Sequence, residues 1–557
     1  MHILLIAINA KYIHSNPAVF SLKSCTGAYE SHVDILEFTI NQQPSYILQE
    51  IYKRQPDVAA FSCYIWNRNI LDAILPDLHK ILPDTDLWAG GPEVSYNAEE
   101  IIERWQLRGV MTGPGEGSFA HLVSCYVNGN ADSLPAILDG RNTNRLLLDE
   151  IPFWYAKQKE KNRIIYYESS RGCPFSCSYC LSSIEKTMDF RSVERVCREL
   201  SFFLDQKVPQ VKFVDRTFNC KKDHALPILR HILKHDNGIT NFHFEIAADL
   251  LDEDYFTVLK QMRPGAVQLE IGVQSTCRET IAAIDRQMDF AKVADVVGQI
   301  SSWNNIHLHL DLIAGLPFED LKTFRTSFND VYALRPEQLQ LGFLKVLKGS
   351  AMERRARQYD LVSASLPPYE VLSTKWLSYK DICHLKQIEE VLEIYYNSGQ
   401  FTHTLDFLCG YFDTPFSMYE SLAGWYEKYD LFGIQSSRVR KYEILLDFGT
   451  HSITSQAVSL LTEYITYDLY LREHMKNRPA FALPTDQWKD TIHNILHREA
   501  ETHELFPELA DCNYRELTKI LHVEVFDHIF EAPRVVLFFY GRRDPLTNNC
   551  VSLLHKI

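Results

Sequence analysis

Three cysteines fall within eight residues, Cys173-x3-Cys177-x2-Cys180, and no fourth follows at motif spacing. Three thiolates hold three irons of a [4Fe–4S] cube and leave the fourth iron open, whereas proteins that only carry electrons normally supply four cysteines. An open iron is a substrate site, just as a catalytic zinc keeps one position free. Two blander readings compete: a zinc site, or three unrelated thiols. Zinc sites usually pair two Cys-x2-Cys knuckles or add histidines, and neither partner follows Cys180. A disulfide framework is disfavoured in a long chain with scattered cysteines and no secretory signal.

A loop of this kind has to be carried by a scaffold. The strand-like run Ile164-Ile165-Tyr166-Tyr167 feeds it, and aromatic Tyr179 precedes its last cysteine. Over residues 161–350 strand and helix signals alternate, with strands expected at 163–169, 210–215, 242–247, 266–273, 306–313 and 338–346. Six such units predict a partial (β/α)6 barrel of the TIM type, with its active site at the C-terminal ends of the strands. Residues 1–130 alternate in the same way, with strands at Ile3–Ile8, Val33–Glu37, Val58–Ser62, Asp86–Ala89 and Gly109–Thr112 and helices such as Ile70–Ile81 and Ala98–Trp105. That pattern predicts a Rossmann-like (flavodoxin-like) α/β domain, which binds ligands at its strand ends. Residues 131–160 read as a linker. Residues 351–557 read as a mostly helical domain, with amphipathic stretches at Ile388–Tyr396, Leu405–Phe412 and Thr454–His474 and a closing hairpin, Arg534–Tyr540 with Cys550–Lys556.

Bulk properties narrow the class. The chain has 557 residues and no run of about 18 apolar residues, so no membrane helix is expected. Met1–Asn9 is too short for a signal peptide and reads as a buried strand. An odd count of 13 cysteines fits a reducing cytosol, so a cytoplasmic protein is expected. A net charge of −15 disfavours a broad nucleic-acid surface.

The cysteine loop resembles that of the radical S-adenosylmethionine (SAM) enzymes. The resemblance implies that SAM chelates the open iron through its amino and carboxylate groups. One electron from the cluster then cleaves the sulfonium bond, giving methionine and a 5′-deoxyadenosyl radical that abstracts hydrogen from an unreactive C–H bond. Leu269-Glu270-Ile271-Gly272-Val273-Gln274-Ser275 resembles the superfamily strand that meets SAM. There Gly272 lets backbone approach closely, and Gln274 and Ser275 offer hydrogen bonds. Arg286 resembles an arginine that pairs with the SAM carboxylate. Gly315, in Asp311-Leu-Ile-Ala-Gly315-Leu-Pro317, resembles the glycine packed against adenine. Glu245 is a SAM or substrate candidate at a strand end. The usual Gly-Gly-Glu is replaced by Val214-Asp215-Arg216-Thr217-Phe218-Asn219, which makes Asp215 the candidate for the SAM amine.

An α/β domain ahead of such a barrel resembles the cobalamin-binding branch of the superfamily. Ser62-Cys63-Tyr64 and Gly90-Gly91 match its second and third motifs, and Gly113 and Gly115 would border the cobalamin tail. Tyr64 and Trp66 would either cover the corrin or pack at a domain interface. The first motif is missing: Lys11 stands where a cobalt-ligating histidine would be, and a protonated lysine offers no lone pair. The lower face of cobalt is therefore expected open, with nearby His14 a hydrogen-bonding loop residue.

The resemblance implies an enzyme using a [4Fe–4S] cluster, SAM and cobalamin to methylate an unactivated carbon of an unknown substrate, with an electron donor such as flavodoxin or ferredoxin. Non-methylating radical oxidation, cyclisation or rearrangement is the alternative. A tRNA methylthiotransferase and a non-catalytic cobalamin or iron sensor fit less well.

Overall fold

The computed structural model describes residues 1–142, 145–157, 163–184 and 186–556. They form two compact units: Met1–Ile306 with Ile313–Asp320 and Phe343–Tyr379, and His307–Leu312 with Leu321–Gly342 and Lys380–Ile557.

The first unit opens with β1 (Ile3–Asn9), β2 (Val33–Thr39), β3 (Val58–Ser62), β4 (Asp86–Gly90), β5 (Gly109–Thr112) and β6 (Ile137–Asp139). These run parallel in the order β2-β1-β3-β4-β5-β6. Every residue of β1 is buried, as expected of a strand covered by helices on both faces. Helices Pro44–Arg54, Arg68–Ile81 and Ala98–Trp105 supply Ile47, Leu71, Leu75 and Ile101 to the core beneath Leu4, Ile6 and Ile8. The order reverses at β1, which opens a crevice beyond the ends of β1 and β3. This is the flavodoxin-like sheet expected, with one difference. The stretch expected as a linker contributes β6, whose Ile137 pairs with Val110. Three residues are too few to display a periodicity in the sequence.

The same unit carries β7 (Ile165–Tyr167), the short pair β8 (Ser170–Arg171) and β9 (Asp189–Phe190), then β10 (Gln210–Phe213), β11 (Asn241–Ile246) and β12 (Val267–Gln274). With β13 (Ile306–Ala314) and β14 (Gln338–Phe343) they make a six-stranded sheet in the order β14-β13-β12-β11-β10-β7. These are the six strands anticipated. Val211, Phe213, Phe242 and Phe244 are buried on one face, so Lys212, His243 and Glu245 share the other. Residues 351–379, expected to open the C-terminal domain, belong to this unit. They include the hairpin β15 (Val362–Ser363) and β16 (Val371–Ser373).

The second unit is mainly helical, with Thr402–Cys409, Pro415–Lys428, Arg438–Ser452, Val458–Arg472 and Lys489–Thr502. It ends in an antiparallel sheet rather than a lone hairpin: β17 (Leu521–Phe526), β18 (Arg534–Arg543) and β19 (Cys550–Lys556). The sequence hides β17 because it follows helix Tyr514–Ile520 without a Gly or Pro break, and because Glu524 is a buried carboxylate held by Arg478 at 2.9 Å. Among the described residues no helix is long and apolar enough to cross a membrane.

Candidate active site

The cysteine loop leaves β8 through Gly172, whose φ is +95° and where a Cβ would stand 2.5 Å from the Thr187 carbonyl. Only glycine fits there. Cys173 and Cys177 are buried and Cys180 is half-buried. The Cys180 amide donates to the Cys177 carbonyl at 3.1 Å, which closes a turn. Two backbone bonds clamp the loop from outside, Ser178 to the Ile284 carbonyl at 2.9 Å and Met352 to the Ser178 carbonyl at 2.7 Å. Burial, together with charge on Cys180 and Cys177, pushes the Cys173 thiol up, so a bound cation would relieve it. Among the described residues the three sulfurs are not all within 4.8 Å of one another. A single tetrahedral zinc with Zn–S of about 2.3 Å would bring them to about 3.8 Å. The three sulfurs are therefore not arranged for a single tetrahedral zinc.

Asp215, expected at the SAM amine, is instead turned into the base of this loop. It is fully buried and accepts from the Ser169 amide (2.8 Å), Ser169 Oγ (2.5 Å) and Ser170 Oγ (2.7 Å). His224 Nε2 lies 3.1 Å from Ser169 Oγ. Burial pushes Asp215 up to about 6, against the serine bonds, and burial takes His224 down to about 4. Asp215 then loses its contribution to stability as pH rises between about 4 and 6, and His224 loses its own as pH falls through the same window. The two slopes oppose, each worth roughly 3 kcal/mol. His224→Gln should unmask Asp215, so urea midpoints of the variant should fall from pH 4 to 6 while the parent stays nearly flat.

The strand expected to meet SAM does gather its residues. Gln274 is buried with φ +73°, a strained conformation for a residue with a Cβ. Its Nε2 would be 2.2 Å from a Cβ on Gly272, so Gly272 makes room for the Gln274 amide. Arg286 donates to the Gly272 carbonyl and, at 3.6 Å, to Cys177 Sγ. Among the described residues Gln274 Oε1 and Arg286 Nε are buried without a hydrogen-bond partner, which fits a polar ligand seated there. Tyr179 is close enough to Arg286 and Cys177 to feel both charges. Ser275, by contrast, donates to Glu319 at 2.6 Å and caps the Cys277 amide at 3.0 Å. Gly315 (φ +91°) faces Val371, whose Cγ1 would be 2.6 Å from an added Cβ. The open face expected for adenine is thus covered by β16. Glu245 pairs in register with Glu270, which holds His243 at 2.8 Å and Lys212 at 3.4 Å.

In the first sheet Ser62 is engaged: it accepts from Asn16 Nδ2 at 3.1 Å and donates to the Ile6 carbonyl at 3.3 Å. Tyr64 and Trp66 stack 4.4 Å apart at 6°, Trp66 donates to the Ile8 carbonyl at 3.0 Å, and its ring is 42% exposed at the crevice. Ile13, in the loop after β1, is exposed as well. Gly90 has room, an added Cβ meeting Met111 only at 3.5 Å. Gly91, expected to admit the ligand, instead packs on the chain: φ is +117° and a Cβ would meet the Cys63 carbonyl at 2.4 Å. Gly113 (φ +69°) and Gly115 lie in the loop after β5, against Arg141 and Leu22. His14 Nδ1 is 2.6 Å from Tyr166 Oη, so that nitrogen is engaged by the barrel.

Sequence reading missed Arg171, Glu168, Ser169, Ser170 and His224 as supports of the cysteine loop, although Arg171 and Gly172 adjoin the motif. It also missed Gly140, where a Cβ would fall 1.7 Å from the Pro114 carbonyl.

Comparison with known proteins matches residues 3–123 to the B12 binding domain, 167–331 to the radical SAM superfamily and 357–538 to a family described as a protein of unknown function, DUF4080. The cobalamin-dependent radical SAM methyltransferase TokK of Streptomyces tokunonensis is 25% identical over 365 residues, 58% of this chain and 52% of TokK. The hopanoid C-3 methylase of Methylococcus capsulatus is 24% identical over 285 residues, 47% of this chain and 52% of that protein. The chain spans about half the length of the curated relatives it matches. Among solved structures, the cobalamin-dependent SAM radical enzyme OxsB with aqua-cobalamin superposes with a TM-score of 0.56 at 14% identity, covering 84% of this chain and 79% of OxsB. TsrM from Kitasatospora setae with cobalamin and a [4Fe–4S] cluster gives 0.53 at 16%, covering 66% of this chain and 79% of TsrM. At these identities the likeness is one of fold.

Proposed function

We propose that this chain, a B12-binding domain joined to a radical SAM domain and followed by a DUF4080 region, is an enzyme that methylates an unactivated carbon of its substrate. The observation that carries the reading is the pairing of a three-cysteine loop with a strand-end crevice in one compact unit. When bound, the cluster supplies the electron for SAM cleavage and cobalamin carries the methyl group.

Cys173, Cys177 and Cys180 would hold the cluster, and the burial of Cys173 and Cys177 would limit water on that side of it. Gln274 and Arg286 bind SAM, using the two orphaned polar atoms. Arg286 also lies against Cys177, so it orients SAM with respect to the cluster. Ser62, Gly90, Tyr64 and Trp66 would border the cobalamin, and Lys11, where a ligating histidine would stand, would offer the cobalt no lone pair. The face that bears Gly272 and Gln274 continues into Glu270, His243, Lys212 and Glu245, so a substrate with polar groups is expected. The electron donor is a flavodoxin or ferredoxin and the compartment the reducing cytosol, in keeping with thirteen free cysteines.

Gln274→Gly is the clean test of the SAM site, because glycine accepts φ +73° without strain. It should lower SAM affinity about ten- to a hundredfold with iron content unchanged. Equal affinity in the variant would remove Gln274 from the site. For the reaction, methyl-labelled SAM is supplied to reduced protein reconstituted with iron, sulfide and hydroxocobalamin. Label should reach the bound cobalamin, and 5′-deoxyadenosine should form. Reductive SAM cleavage with no label on cobalamin would favour the non-methylating alternative.

A further inference from the structure

Arg171 stands two residues before Cys173 and grips two carboxylates at once. Its Nε and Nη2 donate to Glu168 at 2.9 and 2.7 Å, and its Nη1 and Nη2 donate to Glu116 at 3.1 and 2.7 Å. Glu168 belongs to the cysteine loop's own approach. Glu116 does not: it is the buried first residue of helix Glu116–Val127, directly after the Gly113–Gly115 turn that ends β5. Burial pushes the Glu116 carboxyl up, but Arg171 outweighs it and holds the group below the usual carboxylate range. The guanidinium therefore links the strand-end loop of the first sheet to the loop of three cysteines through a bidentate fork, a geometry lysine cannot reproduce.

The other strand-end loops of that sheet are tied down too. His14 meets Tyr166, Glu37 of β2 meets Arg163 at 2.9 Å, and Glu93 after β4 accepts from Tyr369 at 2.8 Å. Of these ties, Arg171–Glu116 is the one that ends on the cysteine loop itself, and the rigid Gly172 turn leaves little slack between Arg171 and Cys173.

We propose that Arg171 and Glu116 are positioning residues whose fork fixes the separation and orientation of cobalamin and the cluster. This rests on the cofactor reading above. Mispositioning of about 1 Å is enough to cost an enzyme about a hundredfold in rate, so a defined tie at this point matters to the reaction without touching either reacting atom.

The test uses full-length protein loaded with both cofactors and reduced to cob(II)alamin and the paramagnetic cluster. The cluster accelerates relaxation of the cobalt spin with an inverse sixth-power dependence on distance. A separation lengthened by about 1 Å, the scale on which positioning matters, lowers that enhancement. Glu116→Gln and Arg171→Lys should each keep the parent's iron and cobalamin content and show this fall or a spread of relaxation rates. Unchanged relaxation in both variants would overturn the proposal. So would parent-like relaxation in Arg171→Lys alone, because a point charge would then suffice. Loss of cobalamin in Glu116→Gln would make Glu116 a ligand contact and also overturn it. Failure of the parent protein to take up cobalamin would instead defeat the underlying cofactor reading.

Discussion

Changing Cys173, Cys177 and Cys180 together to Ala should take bound iron from about four atoms per chain to background and abolish reductive SAM cleavage. The three thiols are the loop's only soft donors, and it offers no histidine in their place. The other ten cysteines should be dispensable. Cys220 is the stringent control, because it lies close enough to Cys173 to feel its charge, although burial pushes its thiol up to about 11 and so disfavours the thiolate that would ligate iron. Cys220→Ser should retain the full iron content. A triple variant that still cleaves SAM reductively would refute the assignment of the cluster.

Gly91→Ala should destabilise the first domain by roughly 2–4 kcal/mol, from overpacking combined with a left-handed backbone. The added Cβ meets a backbone carbonyl at 2.4 Å, and a carbonyl has no rotamer with which to yield. Gly90→Ala, one residue earlier, meets Met111 at ordinary contact distance and should keep the parent's urea midpoint. The pair separates packing from ligand access. A fall in hydroxocobalamin uptake by folded Gly90→Ala would mark the crevice, whereas loss in Gly91→Ala follows unfolding. A Gly91→Ala protein as stable as its parent would show that the loop after β3 relaxes where the geometry says it is fixed. Electron paramagnetic resonance of the cob(II)alamin form completes the test. Lys11 in place of the ligating histidine predicts no nitrogen splitting of the cobalt lines, in the parent and in His14→Ala alike; splitting that disappears in His14→Ala would place His14 on cobalt.

The sequence by itself determined the chemistry of the cysteine loop and the two sheets. Both are local properties: a ligand spacing within eight residues, and apolar runs whose length and punctuation define a strand. It also determined that Gly272, Gln274 and Arg286 belong together, because their neighbourhood follows from one strand and the turn after it. Tertiary structure alone decided which polar residues were already spoken for. Asp215 and Ser62 have side chains suited to a ligand, yet their partners Ser169 and Asn16 come from 46 residues away in each case. A residue type states what a group can bond, and only the fold states what bonds it. The same holds for Gly91 and Gly315, whose missing side chains make room for Cys63 and Val371 rather than for a ligand. The Arg171–Glu116 fork spans 55 residues and two sheets, so no periodicity or motif encodes it. It exists because parallel sheets put their loops at one edge, and packing brings those edges within reach of a single guanidinium.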